Sequence, residues 1–190
     1  MSMIFEENHL FHLFNRGNNR EAIFYNEGNY DFFIQKIEKY ILPHVDILAW
    51  CLMPNHFHFM IEVLKVEING YELNDAIGIA LRSYARAINI QEHRVGSLFQ
   101  TGTRAQNLTK PENPLITSRN YFYGPAYIFQ FHKSQYPMKC MEYIHGNPVK
   151  AGLVKEPSLW RYSSYNEYLG NGDFKLCNKK KGRRYISFTQ

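Results

Sequence analysis

The chain has 190 residues and 45% hydrophobic content, enough for one sizeable core. Its formal charge of +5 and pI near 9.0 favour an anionic partner over a cationic one, which bears on encounter rather than on fold. Cys51, Cys140 and Cys177 are too few and too widely spaced for a disulfide framework or a thiolate zinc cluster, and no run approaches ~18 consecutive apolar residues.

No charged leader followed by an apolar run opens the chain, so a cytoplasmic setting with no membrane partner is expected. His9–Phe14 is aromatic and short, a first strand, and Asn15-Arg16-Gly17-Asn18-Asn19-Arg20 supplies turn residues with two cations. Phe33, Ile37, Tyr40 and Ile41 then make one stripe of a helix over Tyr30–Ile41, which Pro43 and His44 interrupt. Asp46–Met53 reads as a second strand and His56–Leu64 as a third; the Pro54-Asn55 join is so short that the two must form an antiparallel hairpin. Apolar residues at three- and four-residue steps predict a long amphipathic helix over Leu73–Ile90, with Arg82, Arg86 and His93 flanking its polar side.

Thr101–Leu108 completes the order strand, helix, strand, strand, helix, strand. That order predicts an α+β, ferredoxin-like antiparallel sheet with both helices on one face, strands one and three at its centre, and the other face free for a flat polymeric ligand. Lys110–Pro125 reads as an insertion or surface loop. Pro137 suits the first turn of a helix through Met138, Met141 and Ile144, which Gly146-Asn147-Pro148 then breaks or kinks. The tail from Trp160 to Leu169 is a short helix packing aromatics on the core, and Lys179-Lys180-Lys181-Gly182-Arg183-Arg184 is either a phosphate grip or a solvated tail. One domain over 1–190 is expected, with a core of about 9–154 and a C-terminal extension of about 155–190.

The chemistry concentrates in Met53-Pro54-Asn55-His56-Phe57-His58-Phe59-Met60. Strand side chains alternate faces, so His56 and His58 share one side while Phe57 and Phe59 take the other. Two neutral imidazoles on rigid sheet positions can hold a divalent ion, or can be partly buried histidines bonded to neighbouring groups. Tyr143 and Asn147 share a helical face at a four-residue step, so a phenol and a carboxamide oxygen can approach one ion together. His145 points away from that face; it, His12, His44, His93 and His132 read as surface or core histidines without chemistry.

The strand Ala49–His58, Arg94–Gln100, Tyr143–Val154 and Trp160–Tyr165 stand in the order seen in the single-tyrosine HUH transposases. The chain most resembles their REP-associated branch, which is related to the small insertion-sequence transposases, and the resemblance runs from about Phe11 to Leu169. It implies metal-binding histidines at His56 and His58, a nucleophilic tyrosine at Tyr143 and a metal-completing carboxamide at Asn147. Arg16-Gly17-Asn18-Asn19-Arg20 resembles the family's turn after the first strand. Implied with them are Mg²⁺ or Mn²⁺ as the divalent cation, and cleavage and rejoining of single-stranded DNA beside a hairpin through a 5′-phosphotyrosine. The chain departs from the family's short form in a longer stretch between Gln100 and Tyr143, and in Gly146, where many relatives carry a larger apolar residue.

Arg16, Arg20, Arg82, Arg86, Arg94 and Arg104 are the candidates for phosphate contacts, since guanidinium binds phosphate in a bidentate fork. Two other readings stand beside the transposase: a non-catalytic or domesticated hairpin-binding module that stacks bases on exposed aromatics, and a metal-dependent phosphoesterase in which water attacks. A monomer working in cis is favoured over a dimer, and association with the nucleoid would follow from DNA binding.

Overall fold

The computed structural model describes residues 3–110 and 135–186. Strands β1 (Leu10–Arg16), β2 (Val45–Met53), β3 (His56–Val63) and β6 (Arg104–Asn107) form one antiparallel sheet in the order β2-β3-β1-β6. The central pair is therefore β3 and β1, as the ferredoxin-like order requires. Between β3 and the second long helix lies a small ribbon, β4 (Glu67–Ile68) with β5 (Tyr71–Glu72).

Helices α1 (Glu27–Lys36) and α2 (Leu73–Gln91) pack on one face, where Phe33, Ile77 and Tyr84 meet Phe11, Leu13, Phe57, Phe59 and Ile61. Asn26 caps α1 by accepting the Asn29 N–H at 3.1 Å, and beyond Lys36 the chain winds on through a π-helical turn, with the Leu42 N–H donating to the Ile37 carbonyl at 2.9 Å. The stripe expected over Tyr30–Ile41 is thus one α-helix and one wider turn. β1 is longer than its aromatic run because Asn15 and Arg16 stay in register with Phe57 and His56.

Helix α3 (Tyr136–Lys150) corrects two expectations. The second face of the sheet is not open: α3 lays Cys140, Met141 and Ile144 against Ala49, Cys51, Met53 and Met60 and covers the β2–β3 half of that face. Nor does Gly146-Asn147-Pro148 break the helix, which continues to Lys150 with Pro148 inside it. A mid-helix proline costs about 3 kcal/mol, but Pro148 sits in the last turn, and burial of Ile144 alone returns about 1.5–3 kcal/mol. The apolar pattern expected from Ile128 falls partly, and the Lys110–Pro125 loop and His132 almost or wholly, outside the described residues. Among the described residues no helix is long and apolar enough to cross a membrane.

The extension after Gly152 returns to β2, whose outer edge it occupies. The Leu52 N–H donates to the Tyr162 carbonyl (2.9 Å), the Trp50 N–H to Ser164 Oγ (2.8 Å) and the Asn178 N–H to the Ile47 carbonyl (2.8 Å). The expected tail helix is α4 (Ser164–Leu169), capped by Ser163 and closed by Gly170 at φ 87°. Tyr162 stacks on Tyr30 of α1 with ring centroids 3.8 Å apart, which ties the tail to the first layer. Of the basic run, Lys181 is held by Asp46 (2.7 Å) and Glu62 (3.0 Å), a structural use rather than a phosphate grip.

Buried Glu167 of α4 fastens this tail. One carboxylate oxygen accepts the Trp50 indole N–H at 2.6 Å and the other accepts the Cys177 N–H at 3.0 Å. Burial raises its pKa while those donors oppose the rise. Glu167→Gln keeps the shape but turns an NH₂ toward one of two N–H donors, leaving a buried donor unmet at a cost of about 1–3 kcal/mol. Thermal melting of this variant should show a fall of several degrees, and an unchanged melt would mean the tail is fastened elsewhere.

Candidate functional site

The site grows from the β2–β3 turn. The Pro54 carbonyl accepts the Ile23 and Phe24 N–H groups (2.8 and 3.1 Å), and the Asn55 carbonyl accepts the Gly17 N–H (2.8 Å). Gly17 is required there, since a Cβ would lie 2.1 Å from the Glu21 carbonyl oxygen. This clamp sets the start of β3, and with it the face on which His56 and His58 emerge.

The pairing places Arg16 opposite His56 and Phe14 opposite His58 on β1, with Met53 and Cys51 opposite them on β2. His56 and His58 share the face covered by α3, their ring centroids 5.0 Å apart and nearly perpendicular. His56 donates from Nδ1 to Asn55 Oδ1 at 2.6 Å. His58, 4% exposed, shares a 2.9 Å hydrogen bond between its Nδ1 and Nε2 of His12, while its own Nε2 is buried with no hydrogen-bond partner among the described residues. Burial drives the His56 pKa down to about 4, helped by the charge of Arg16 and opposed by a hydrogen bond with the Asn147 carboxamide. His58 lies well below the ordinary histidine value, first through burial and then through His12, His56 and Arg16.

α3 delivers Tyr143 and Asn147 to this spot. The Tyr143 ring stands edge-on to His58 at 5.3 Å and to His12 at 6.0 Å between centroids. One turn on, Asn147 donates from Nδ2 to the Tyr143 carbonyl at 3.0 Å, which directs its Oδ1 elsewhere, and the carboxamide reaches His56. Lys150 Nζ lies 5.2 Å from the Tyr143 ring centroid. A pocket of about 150 Å³ opens among Phe14, Arg16, His56, His58, Arg104 and Tyr143.

The six arginines separate into groups. Arg16 and Arg104 line the histidine pocket, whereas Arg82, Arg86 and Arg94 line a larger hollow of about 780 Å³ between α2 and residues 93–103. Arg94 there pairs with Glu21 at 2.7 Å and donates to the Tyr25 hydroxyl at 3.1 Å. Arg20 lines neither, standing exposed on the Asn18–Arg20 turn with its carbonyl accepting from Asn55 Nδ2 at 3.0 Å.

Sequence reasoning set His12 aside, yet it touches His58. The alternation Leu10-His12-Phe14-Arg16 places it on the right face, but only the β1–β3 register shows which imidazole it meets. His145 is buried away from the pocket with Nε2 bonded to Ser164 Oγ at 2.8 Å, and His44 Nδ1 bonds the Lys65 carbonyl at 3.1 Å. Among the described residues no group of three or more His, Cys, Asp or Glu side chains could hold a metal ion. A cation here would rest on two imidazoles and a carboxamide.

No protein-family model matches the chain, and no curated protein matches it. A solved structure of a REP-associated tyrosine transposase bound to a REP hairpin superposes with a TM-score of 0.60, covering 98% of this chain and 93% of that one at 15% identity. The fold is thus of the kind seen in that transposase.

The buried imidazoles make folding sensitive to acid. His12, His56 and His145 are held down to about 3, 4 and 3, each chiefly by burial, and His58 is depressed too. Unfolded, each would take a proton below pH ~6.5, so the unfolded state binds more protons and stability falls with pH, by up to about 1.4 kcal/mol per unit per group. Urea unfolding at pH ~7 and ~5.5 should give midpoints that fall by more than one such group can supply. Equal midpoints would mean that these imidazoles accept protons within the folded chain.

Proposed function

We propose that this chain is a metal-dependent single-stranded DNA transesterase, a transposase of the REP-associated tyrosine kind that cleaves and rejoins DNA beside hairpins. The observation that carries the reading is the meeting of His56, His58 and Tyr143 at one pocket, from two elements far apart in sequence, with Asn147 hydrogen-bonded to the His56 ring. The likeness to a transposase solved with a REP hairpin supports it through the fold.

The residues present suit a divalent cation, Mg²⁺ or Mn²⁺. Burial keeps both imidazoles neutral, His58 Nε2 is buried without a partner among the described residues, and Asn147 donates one of its two Nδ2 hydrogens to the Tyr143 carbonyl. His56, His58 and Asn147 would hold the ion, which supplies Lewis-acid stabilisation of charge on the phosphoryl oxygens. His12 engages Nδ1 of His58, so that Nε2 is the nitrogen turned to a ligand.

Arg16 and Arg104 stand at the pocket to receive the phosphodiester, a role for which the guanidinium fork is suited. Tyr143 Oη attacks phosphorus: an Oη–P bond forms, the P–O3′ bond breaks, and the phenolic proton is in net taken up by the departing 3′-oxygen. The products are a 5′-phosphotyrosine and a free 3′-hydroxyl. One phosphoester has replaced another, so a second 3′-hydroxyl can reverse the step and join strands without a nucleotide cofactor. Tyr143→Phe should bind a 3′-labelled hairpin oligonucleotide as wild type does and yield no labelled protein on a denaturing gel. A surviving adduct would sink the assignment of Tyr143.

Tyr143 stands beside His58 of its own chain, and this favours a site assembled in cis within a monomer. An equimolar mixture of His56→Ala and Tyr143→Phe chains should remain inactive while each binds DNA. Cleavage restored by mixing would require a tyrosine helix reaching into a second copy.

A further inference from the structure

The larger hollow adjoins the histidine pocket, and Asn15, Gln100 and Gly102 line both. That saddle is pinned: Asn15 Nδ2 donates to Thr103 Oγ1 at 2.9 Å and to the Gln100 carbonyl at 3.3 Å. Among the described residues no acidic side chain lines the hollow. Arg82 and Arg86, one helical turn apart on α2, are exposed along it, and neither has an ion-pair partner among the described residues. Between and beyond them lie Leu81, Ala85 and Ile90, the last 68% exposed. Cations interleaved with apolar surface in an open groove suit a strand with a charged backbone and flat bases, and suit an acidic protein less well.

A second observation concerns Gly78, also in the wall. It sits inside the nineteen-residue helix α2, where glycine is disfavoured relative to alanine. A Cβ at this position would lie 2.7 Å from Nη1 of Arg82 and 3.3 Å from its Cζ. The guanidinium thus lies back along the helix over Gly78, and a side chain at 78 would make the end of Arg82 swing away from that place.

We propose that this groove seats single-stranded DNA continuing out of the histidine pocket, and that Gly78 serves to let Arg82 lie along its wall. The inference names the path of the substrate and rests on the transesterase reading for why that strand is there. Helix stability is given up at Gly78 for the placement of one guanidinium. Arg94, neutralised by Glu21, shapes the far end of the groove rather than gripping phosphate.

The test uses the full chain with Tyr143→Phe as background, in EDTA, so that it depends on neither metal nor adduct. Fluorescein-labelled oligo(dT) of ~4 and ~12 nucleotides is titrated by anisotropy at several salt concentrations. The ~12-mer should bind more tightly than the ~4-mer, and Arg82→Ala/Arg86→Ala should lower its affinity by about tenfold and flatten the salt slope by about 1.4, or 0.7 per lost phosphate contact. Gly78→Ala should raise the melting temperature by about 2–4 °C and still weaken the ~12-mer several-fold, a pairing that general destabilisation cannot produce.

A double variant that binds the ~12-mer as wild type does overturns the groove. A Gly78→Ala chain that binds it as wild type does overturns the role of Gly78. If these losses are seen but the chain that keeps Tyr143, given Mg²⁺ or Mn²⁺ and a hairpin oligonucleotide, forms no covalent adduct, the transesterase reading is retired and a strand-binding groove is left.

Discussion

The register of β3 between β1 and β2 is the constraint on which the site depends. Strand parity is two, so a slip of one residue would carry His56 and His58 into the layer beneath α1 and α2 and bring Phe57 and Phe59 under α3. The turn at Pro54-Asn55, bonded to Gly17, Ile23 and Phe24, prevents that slip at the point where the strand begins. The first imidazole follows this anchor immediately, so little of the chain's freedom separates it from the clamp.

From that anchor the rest is packing. α3 has no choice of rotation once Cys140, Met141 and Ile144 meet the β2–β3 face; one step around the helix, Tyr143 then falls at the histidine pocket and Asn147 beside the His56 ring. The side-chain bond from Asn147 to the Tyr143 carbonyl supports the last turn where Pro148 withholds its N–H from the helix. Asn147 thus links three things at once: the backbone beneath Tyr143, the His56 ring and the end of the helix.

The strand and helix order was legible in the residues because its signals are local. Alternation marks β3, Pro54-Asn55 forces a hairpin, and three- and four-residue steps mark α2 over nearly its full observed length. What could not be read was set by distant partners. Pro148 looked like a breaker because proline's cost is local while the burial that outweighs it is tertiary. The bulge between Ile47 and Ala49 in β2 had no sequence mark; it puts both Leu48 and Ala49 on the face of α3, in a strand buried along almost its whole length because both faces are covered. His56 and His58 stood out by spacing, whereas His12 depended on pairing and Gly78 on a side chain four residues away.

An outer strand of a sheet ordinarily offers a ladder of unspent N–H and C=O groups to any extended chain that meets it. In β2 the groups at Ile47, Trp50 and Leu52 are already taken by residues 162–178 of the same molecule. A second copy could therefore lengthen the sheet on this side only after peeling away a segment held by the Glu167 carboxylate and by Tyr168, whose hydroxyl donates to the Leu48 carbonyl. The tail thus occupies from within the same chain the edge of the hairpin that carries the histidines, where a foreign strand would otherwise add.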